Sequence, residues 1–287
     1  MTDRLEAAGN SPTEEFHISE ELGESRGEHR SRVRFFVKRE RFFLGFLAVA
    51  VVIAAWQITS VTGVVNKEFA SYPTQILSSL ITYFHTGSGW SDLWVSAQEF
   101  LIGFALSLGI GIPLGIFMGW YKTLDELLNP LVIFLNNTPR IALAPLFVVW
   151  FGIGIASKVV IVITVATVPL IISARAGVVT TERSFVQMAR SYGTSNFGLL
   201  WKVVLPGSVP AIVAGIRIAI GQGLMGMVLG EFIAADQGIG FQLFSAANTL
   251  DTARVFDTVT VIAIFGLALT ALATKLERYF DRWRISP

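Results

Sequence analysis

The sequence predicts an all-α membrane protein with six transmembrane helices, and three observations carry that prediction. First, 53% of the 287 residues are hydrophobic and 15% are charged, against about 25% charged in an ordinary soluble domain; mean hydropathy is +0.60. Second, the apolar residues collect in six windows, 42–61, 95–120, 131–151, 159–173, 209–232 and 255–274, and spanning a hydrocarbon core takes roughly 20 such residues. Third, the net charge of +1 conceals a segregation: acids dominate residues 3–24, and Arg30, Arg32, Arg34, Lys38, Arg39 and Arg41 crowd the stretch that follows.

In chain order, residues 1–30 are acidic and rich in Gly, Ser and Glu, with too little apolar surface to offset the entropy of ordering them. A disordered cytoplasmic tail is expected there, followed by one membrane domain over 31–287. The first apolar run begins only near Phe42 and lacks a small-residue cleavage site, so it reads as an anchor rather than a signal peptide. Positive charge marks the cytoplasmic side. The basic cluster before Phe42 therefore places the N-terminus inside, and six crossings return Lys275, Arg278, Arg282 and Arg284 to the same side. Residues 121–130 and 174–208 then face the cytoplasm; residues 62–94, 152–158 and 233–254 face outward.

Within the first outer loop, Pro73 opens a stretch in which Ile76, Leu80, Ile81 and Phe84 recur at helical spacing, as in a helix lying along an interface or packed on the bundle. The second window spaces Gly111, Gly115 and Gly119 four apart, and the fifth does the same with Gly226 and Gly230. Such stripes let helices approach closely, within one subunit or between two. Pro113, Pro139, Pro145 and Pro169 lie inside membrane windows, where each removes a backbone donor and can kink its helix.

Residues 174–208 turn polar yet keep helical periodicity. Phe185, Met188, Ala189 and Tyr192 line one side, with Glu182, Arg183, Gln187, Arg190 and Ser191 around the other. Gly193 stands at the C-cap position, and a second short helical run from Asn196 to Val204 ends at Pro206. This helix, turn, helix element resembles the EAA loop of ABC importer permeases, usually written EAAxxxG, nine residues, then IxLP. The register matches at Ala189, Gly193, Leu205 and Pro206, while Gln187, Met188 and Val203 replace the family's Glu, Ala and Ile. Gln offers neutral hydrogen bonds where Glu would offer a carboxylate.

The resemblance extends over residues 71–283. Pro139 to Gly154, then Ser157 and Lys158, Gly215 to Gly221, and Gly230, Glu231 and Phe232 are similar to permeases serving nitrate, sulfonates, taurine and related small solutes. It implies a type I ABC importer permease-like bundle with a cytoplasmic coupling helix in a bacterial inner membrane. The coupling loop would cover 182–208, with Gln187, Met188, Ala189, Arg190, Tyr192, Gly193, Val203, Leu205 and Pro206 at the contact. The implied partners are a second permease subunit, as a homodimer, two ABC ATPases carrying ATP and Mg2+, and an external solute-binding protein. Consistent with this division, no phosphate-cradling GxxxxGK[ST] loop occurs and no lysine follows a glycine.

Charges inside membrane windows cost about 2.5 to 3.5 kcal/mol each at the centre on insertion scales, so Glu99, Arg140, Arg217 and Glu231 stand out. Structural pairing or capping, and a pathway or gate, both satisfy that cost. Gln222, Asn136 and Asn137 have hydrogen-bonding capacity without charge, suited either to a pore face or to interhelical contact. The last outer segment, with Asp236, Gly238, Gly240, Phe241 and Phe244, either re-enters the membrane or lies at its outer surface.

Several classes are excluded or weakened. The absence of cysteine rules out disulfides and thiolate sites. His17, His29 and His85 lie outside the apolar runs, so neither a clustered histidine metal site nor an HExxH helix is available. Charge balance gives no sign of nucleic-acid binding. An intramembrane enzyme would need a catalytic constellation, and no membrane aspartate pair or histidine is seen. An ion-driven secondary transporter is the alternative class, although such proteins usually carry internal repeats.

Overall fold

The computed structural model describes residues 44, 45, 47–62 and 71–280, with side chains up to 275. The acidic tail, the basic cluster before Phe42, the start of the first window and the Arg278, Arg282 and Arg284 side chains lie outside the described residues. The chain divides into two compact units, Met1–Val65 and Asn66–Pro287. In the first, the described residues hold one apolar helix, α1 (Leu47–Val61).

All the regular secondary structure among the described residues of the second unit is helical. It contains α2 (Pro73–His85), α3 (Ser88–Trp120), α4 (Lys122–Asn137), a 3₁₀ turn (Arg140–Leu143), α5 (Ala144–Phe151) and α6 (Ile155–Val179). These are followed by α7 (Arg183–Ser191), α8 (Asn196–Leu199), a π turn (Leu200–Val204), α9 (Leu205–Ala234), α10 (Ile239–Asn248) and α11 (Thr252–Phe280).

Glycine decides how the central helices pack. A Cβ placed on Gly103 would stand 2.7 Å from Val162 Cβ, one on Gly111 2.8 Å from Leu170 Cβ, and one on Gly119 2.6 Å from Val178 Cβ. The sequence offset is the same at all three, so α3 and α6 run parallel with their backbones nearly touching. On the other flank of α6, Gly177 meets Ser208, Gly226 meets Val165 and Gly230 meets Lys158; α9 is antiparallel to α6. The glycine stripes are therefore spent inside one subunit, on a three-helix slab. Phe100, Val162, Ala166, Leu170, Ala219 and Met227 fill it, with Phe100 stacked on Phe104 at 5.1 Å and edge-on to Phe265 of α11 at 5.7 Å.

Because α3 and α6 are parallel, the chain leaves α3 at one end of the slab and must enter α6 at the other. Lys122–Asn137 and Arg140–Phe151, bent by 84° at a short break, consequently make one broken crossing. Thr138 is extended at ψ 135°, as a residue before proline prefers, so Pro139 sets the break. Pro113 and Pro169 sit inside unbroken helices, and Pro145 occupies the first turn of α5, where its missing N–H costs nothing.

Gly266 of α11 packs on Leu224 of α9. The second unit thus has five crossings: α3, α4 with α5, α6, α9 and α11. From Lys158 to Val178, α6 rises about 30 Å, the thickness of a bilayer core. The fourth window, short in sequence, is a 25-residue helix, because Lys158 and Arg175 at its ends are paired rather than excluded. In α2 the buried side is marked by Tyr83, with Ile81 exposed, so the facing stripe is rotated from the expected one.

Candidate functional site

Two polar assemblies occupy opposite ends of the slab. At the end where α6 stops, α7 finishes in a full Schellman turn. Gly193 has φ +74°, its N–H donates to Arg190 O at 2.9 Å, and the Thr194 N–H donates to Ala189 O at 3.1 Å. Glycine adopts this left-handed conformation without the penalty a Cβ incurs. The Ser195 hydroxyl then accepts from the Gly198 N–H at 3.2 Å, capping α8.

Pro206 does not end the second helix as the sequence suggested; helix runs unbroken from Asn196 to Ala234. Lacking an N–H, Pro206 cannot bond back to Lys202, and its ring would crowd that carbonyl. The turn before it widens to π geometry instead, with the Leu205 N–H donating to Leu200 O, a local adjustment of the kind single π turns provide.

The side of α7 that anchors it is also shifted. Val186 and Ala189, with Val203 and Leu205, pack onto Val178, Leu199, Leu200 and Val204. Phe185, Met188 and Tyr192 point away, Tyr192 with 85% of its surface open. Gln187 and Arg190 are exposed beside them, as is Pro206. The turn is therefore held firmly while presenting a mixed apolar and polar face. Nearby, Arg175 of α6 grips Asp125 in the first turn of α4 with two hydrogen bonds, Nη2 to Oδ2 at 2.7 Å, a bidentate arrangement suited to fixing both helices.

At the other end, Glu99 and Glu231 come together. The Lys158 ammonium lies 2.5 Å from Glu99 Oε1. The Ser96 hydroxyl donates to Glu231 Oε1 at 2.5 Å and accepts from the Ile239 N–H at 2.8 Å. The Gly240 N–H donates to Glu231 Oε2 at 2.5 Å. Asp92 accepts from the Gly238 N–H at 3.0 Å and from the Tyr83 hydroxyl at 2.7 Å, and the Arg254 guanidinium lies over the Tyr83 ring at 4.5 Å.

Three consecutive amides that open α10 are thus satisfied by side chains of α3 and α9, which meets the general need of helix N-termini for acceptors. Asp92, Ser96 and Glu99 share one face of α3 by their spacing. Burial of Tyr83, followed by its bond to Asp92, pushes its phenol above the ordinary tyrosine range, so it stays a donor. Glycine again makes the approach possible: a Cβ on Gly240 would fall 2.7 Å from Glu231 Oε2, and one on Gly230 would fall 3.2 Å from the Lys158 stem.

Sequence reasoning singled out Glu99 and Glu231 but not Asp92, Ser96, Lys158 or Tyr83. The one available signal was the isolated Ser157 and Lys158 ahead of an apolar run. The remaining polar candidates do not form one site. Asn136 and Asn137 are exposed at the end of α4, and Arg140, just past the bend, donates from Nη1 to Val165 O at 3.2 Å. On α9, Gln222 lies seven residues from Gly215 and four from Gly226, on the α6 side. Arg217 lies seven from Leu224, on the side that meets α11. Among the described residues no group of His, Cys, Asp and Glu could hold a metal ion.

A five-crossing helical unit with a broken crossing, a rigid exposed turn at one end and a buried polar knot at the other defines a polytopic membrane permease-type bundle. Residues 111–286 match the family described as "Binding-protein-dependent transport system inner membrane component". The chain belongs to that family, the permeases of ABC importers.

Among its relatives, the taurine transport system permease protein TauC of Escherichia coli (strain K12) is 33% identical, over 82% of this chain and 87% of the relative. The putative aliphatic sulfonates transport permease protein SsuC of the same organism is 33% identical, over 83% and 90%. A crystal structure of an amino acid ABC transporter with histidines shares the fold at TM-score 0.51 and 18% identity, over 71% of this chain and 97% of that one.

Proposed function

We propose that this chain is the permease subunit of an ATP-driven importer for a small sulfonate such as taurine, working as a homodimer with two ABC ATPases and an external solute-binding protein. The observation that carries the coupling role is the α7 turn: Val186 and Ala189 anchor it to the slab while Phe185, Gln187, Met188 and Tyr192 face outward. An amphipathic helix offering such anchors fits a groove on a partner protein. ATP and Mg2+ are held by that partner ATPase. The turn is therefore assigned to the cytoplasmic face with both termini, and α10 to the external face where the binding protein docks.

Asn136, Asn137 and Arg140 at the α4–α5 bend are assigned to the pathway. Their donors, with one positive charge, suit a sulfonate, and a single weakly held charge lets the cargo leave. Glu99 and Glu231 are assigned to structure, since Glu99 Oε1 is paired with Lys158 and the two Glu231 oxygens accept from Ser96 and Gly240.

The test is taurine uptake into proteoliposomes carrying the full chain with its ATPase and binding protein. Uptake is expected only with ATP inside the ATPase compartment, and the purified chain alone is expected to hydrolyse no ATP. Hydrolysis by the chain alone, or uptake driven by an ion gradient without the ATPase, would overturn the assignment in favour of a different transporter class.

A further inference from the structure

We propose that Glu231 is a positioning residue for transport: it ties α10 to the α3–α6–α9 slab, so that the slab acts as one lever between the α7 turn and α10. The inference rests on the permease reading above and adds a residue role to it.

The lever has three parts. Along its length, Gly103, Gly111 and Gly119 of α3 and Gly177, Gly226 and Gly230 of α9 and α6 leave no room for relative sliding, since a Cβ at most of them would overlap a neighbour at under 3 Å. At its lower end, Val178 of α6 and Leu200 and Val204 ahead of α9 form the seat of α7. At its upper end, α10 is a ten-residue helix, too short to hold its own conformation in isolation.

Side chains from the slab hold that short helix by its first amides. Glu231 accepts from Gly240, Ser96 accepts from Ile239, and the Ser96 hydroxyl closes the ring onto Glu231. Glu231 is fully buried, and Ser96 and Glu99 are each 1% exposed. Behind them the Lys158–Glu99 pair ties α6 to α3. Gly238 and Gly240 are thus built around one carboxylate, since a Cβ on either would fall within 3 Å of a Glu231 carboxylate oxygen. The glycines clear the space and the carboxylate fills it.

The geometry predicts how variants rank. Glu231→Ala leaves the Gly240 N–H and the Ser96 hydroxyl without their acceptor inside a buried site, and α10 loses its tie. Glu231→Gln keeps a carbonyl oxygen for Gly240 and an amide donor for the Ser96 oxygen. Ser96→Ala removes the Ile239 contact and half of the Glu231 contact while leaving the carboxylate on Gly240.

The test uses the full chain assembled with its ATPase and binding protein, and reads two quantities. Hydrogen exchange of the peptide covering 235–250 is expected to quicken at least tenfold in Glu231→Ala, with α6 unchanged. ATP hydrolysed per taurine imported is expected to rise at least tenfold in the same variant, and Glu231→Gln is expected to bring it back to within about threefold of the parent. If Glu231→Ala fails to assemble, Ser96→Ala is read instead, with a smaller change in the same direction.

Unchanged exchange in α10, or faster exchange with normal coupling, overturns the lever. Failure of the parent complex to import taurine overturns the proposed cargo, and the exchange comparison, which needs no cargo, then decides the tie alone.

Discussion

Gly115→Ala is expected to destabilise the protein by about 2–4 kcal/mol, even though it adds one methyl group to a helix. The added Cβ would lie 2.8 Å from Ala174 Cβ and 3.0 Å from Ile171 Cα, and would overlap the Ile171 carbonyl oxygen. A carbon–carbon contact relaxes near 3.5–4.0 Å, so α3 and α6 must part by roughly 1 Å. Backbone atoms cannot turn aside as a flexible side chain would. Overpacking of this kind costs about 1–3 kcal/mol, and opening the seam by 0.5–1 Å forfeits a quarter to a half of each neighbouring dispersion contact.

The control is internal. Gly109 and Gly221 lie on α3 and α9 with nothing within 4 Å of an added Cβ, so Gly109→Ala and Gly221→Ala should be neutral or up to about 1 kcal/mol stabilising, by helix propensity. Thermal unfolding of the purified proteins in one detergent, followed by tryptophan fluorescence, gives the comparison. If Gly115→Ala melts with Gly109→Ala, the glycine stripe is not a contact surface and the parallel packing of α3 on α6 is wrong.

Further outcomes follow from the two ends of the slab. Lys158→Met should cost about 3–5 kcal/mol, because it leaves Glu99 buried without its ammonium, and the double variant with Glu99→Gln should recover most of the loss; a denaturation series of the four proteins measures this, and equal losses for single and double variants would contradict the pairing. Gly193→Asp places its Cβ in open space, so the only local cost is the left-handed backbone, about 1 kcal/mol. The chain should stay inserted and folded, while co-purification with the ATPase falls at least tenfold; undiminished co-purification would refute docking at this turn. Tyr83→Phe should blunt the loss of stability above about pH 10, since the raised pKa of this phenol makes its contribution complete below the ordinary value and lost as pH climbs past it; identical alkaline melting profiles would count against the Tyr83–Asp92 bond.

Much of the α7 element was legible because its signals are local. A glycine at a C-cap and an apolar periodicity both act within a few residues. The face that α7 buries was not legible, since Phe185, Met188 and Tyr192 are as apolar as Val186 and Ala189. Only the neighbouring Val178, Leu199 and Val204 decide which set is covered. Pro206 misled for a similar reason: it removes a hydrogen bond wherever it stands, but whether the helix stops or widens depends on what packs beyond it.

The sequence by itself determined the class of the protein, the apolar stretches that the five crossings of the second unit occupy, and the existence of a structured polar turn, because hydropathy, length and helix-end chemistry are summed along the chain. Tertiary structure alone decided that α3 and α6 touch along their length, that residues 122–151 cross as a broken pair, and that Ser96, Glu231 and Gly240 meet. The Ser96–Glu231 contact joins positions 135 apart in sequence. A buried carboxylate must find donors, yet nothing near Glu231 in the chain states which ones; the glycines that let the helices touch settle the choice.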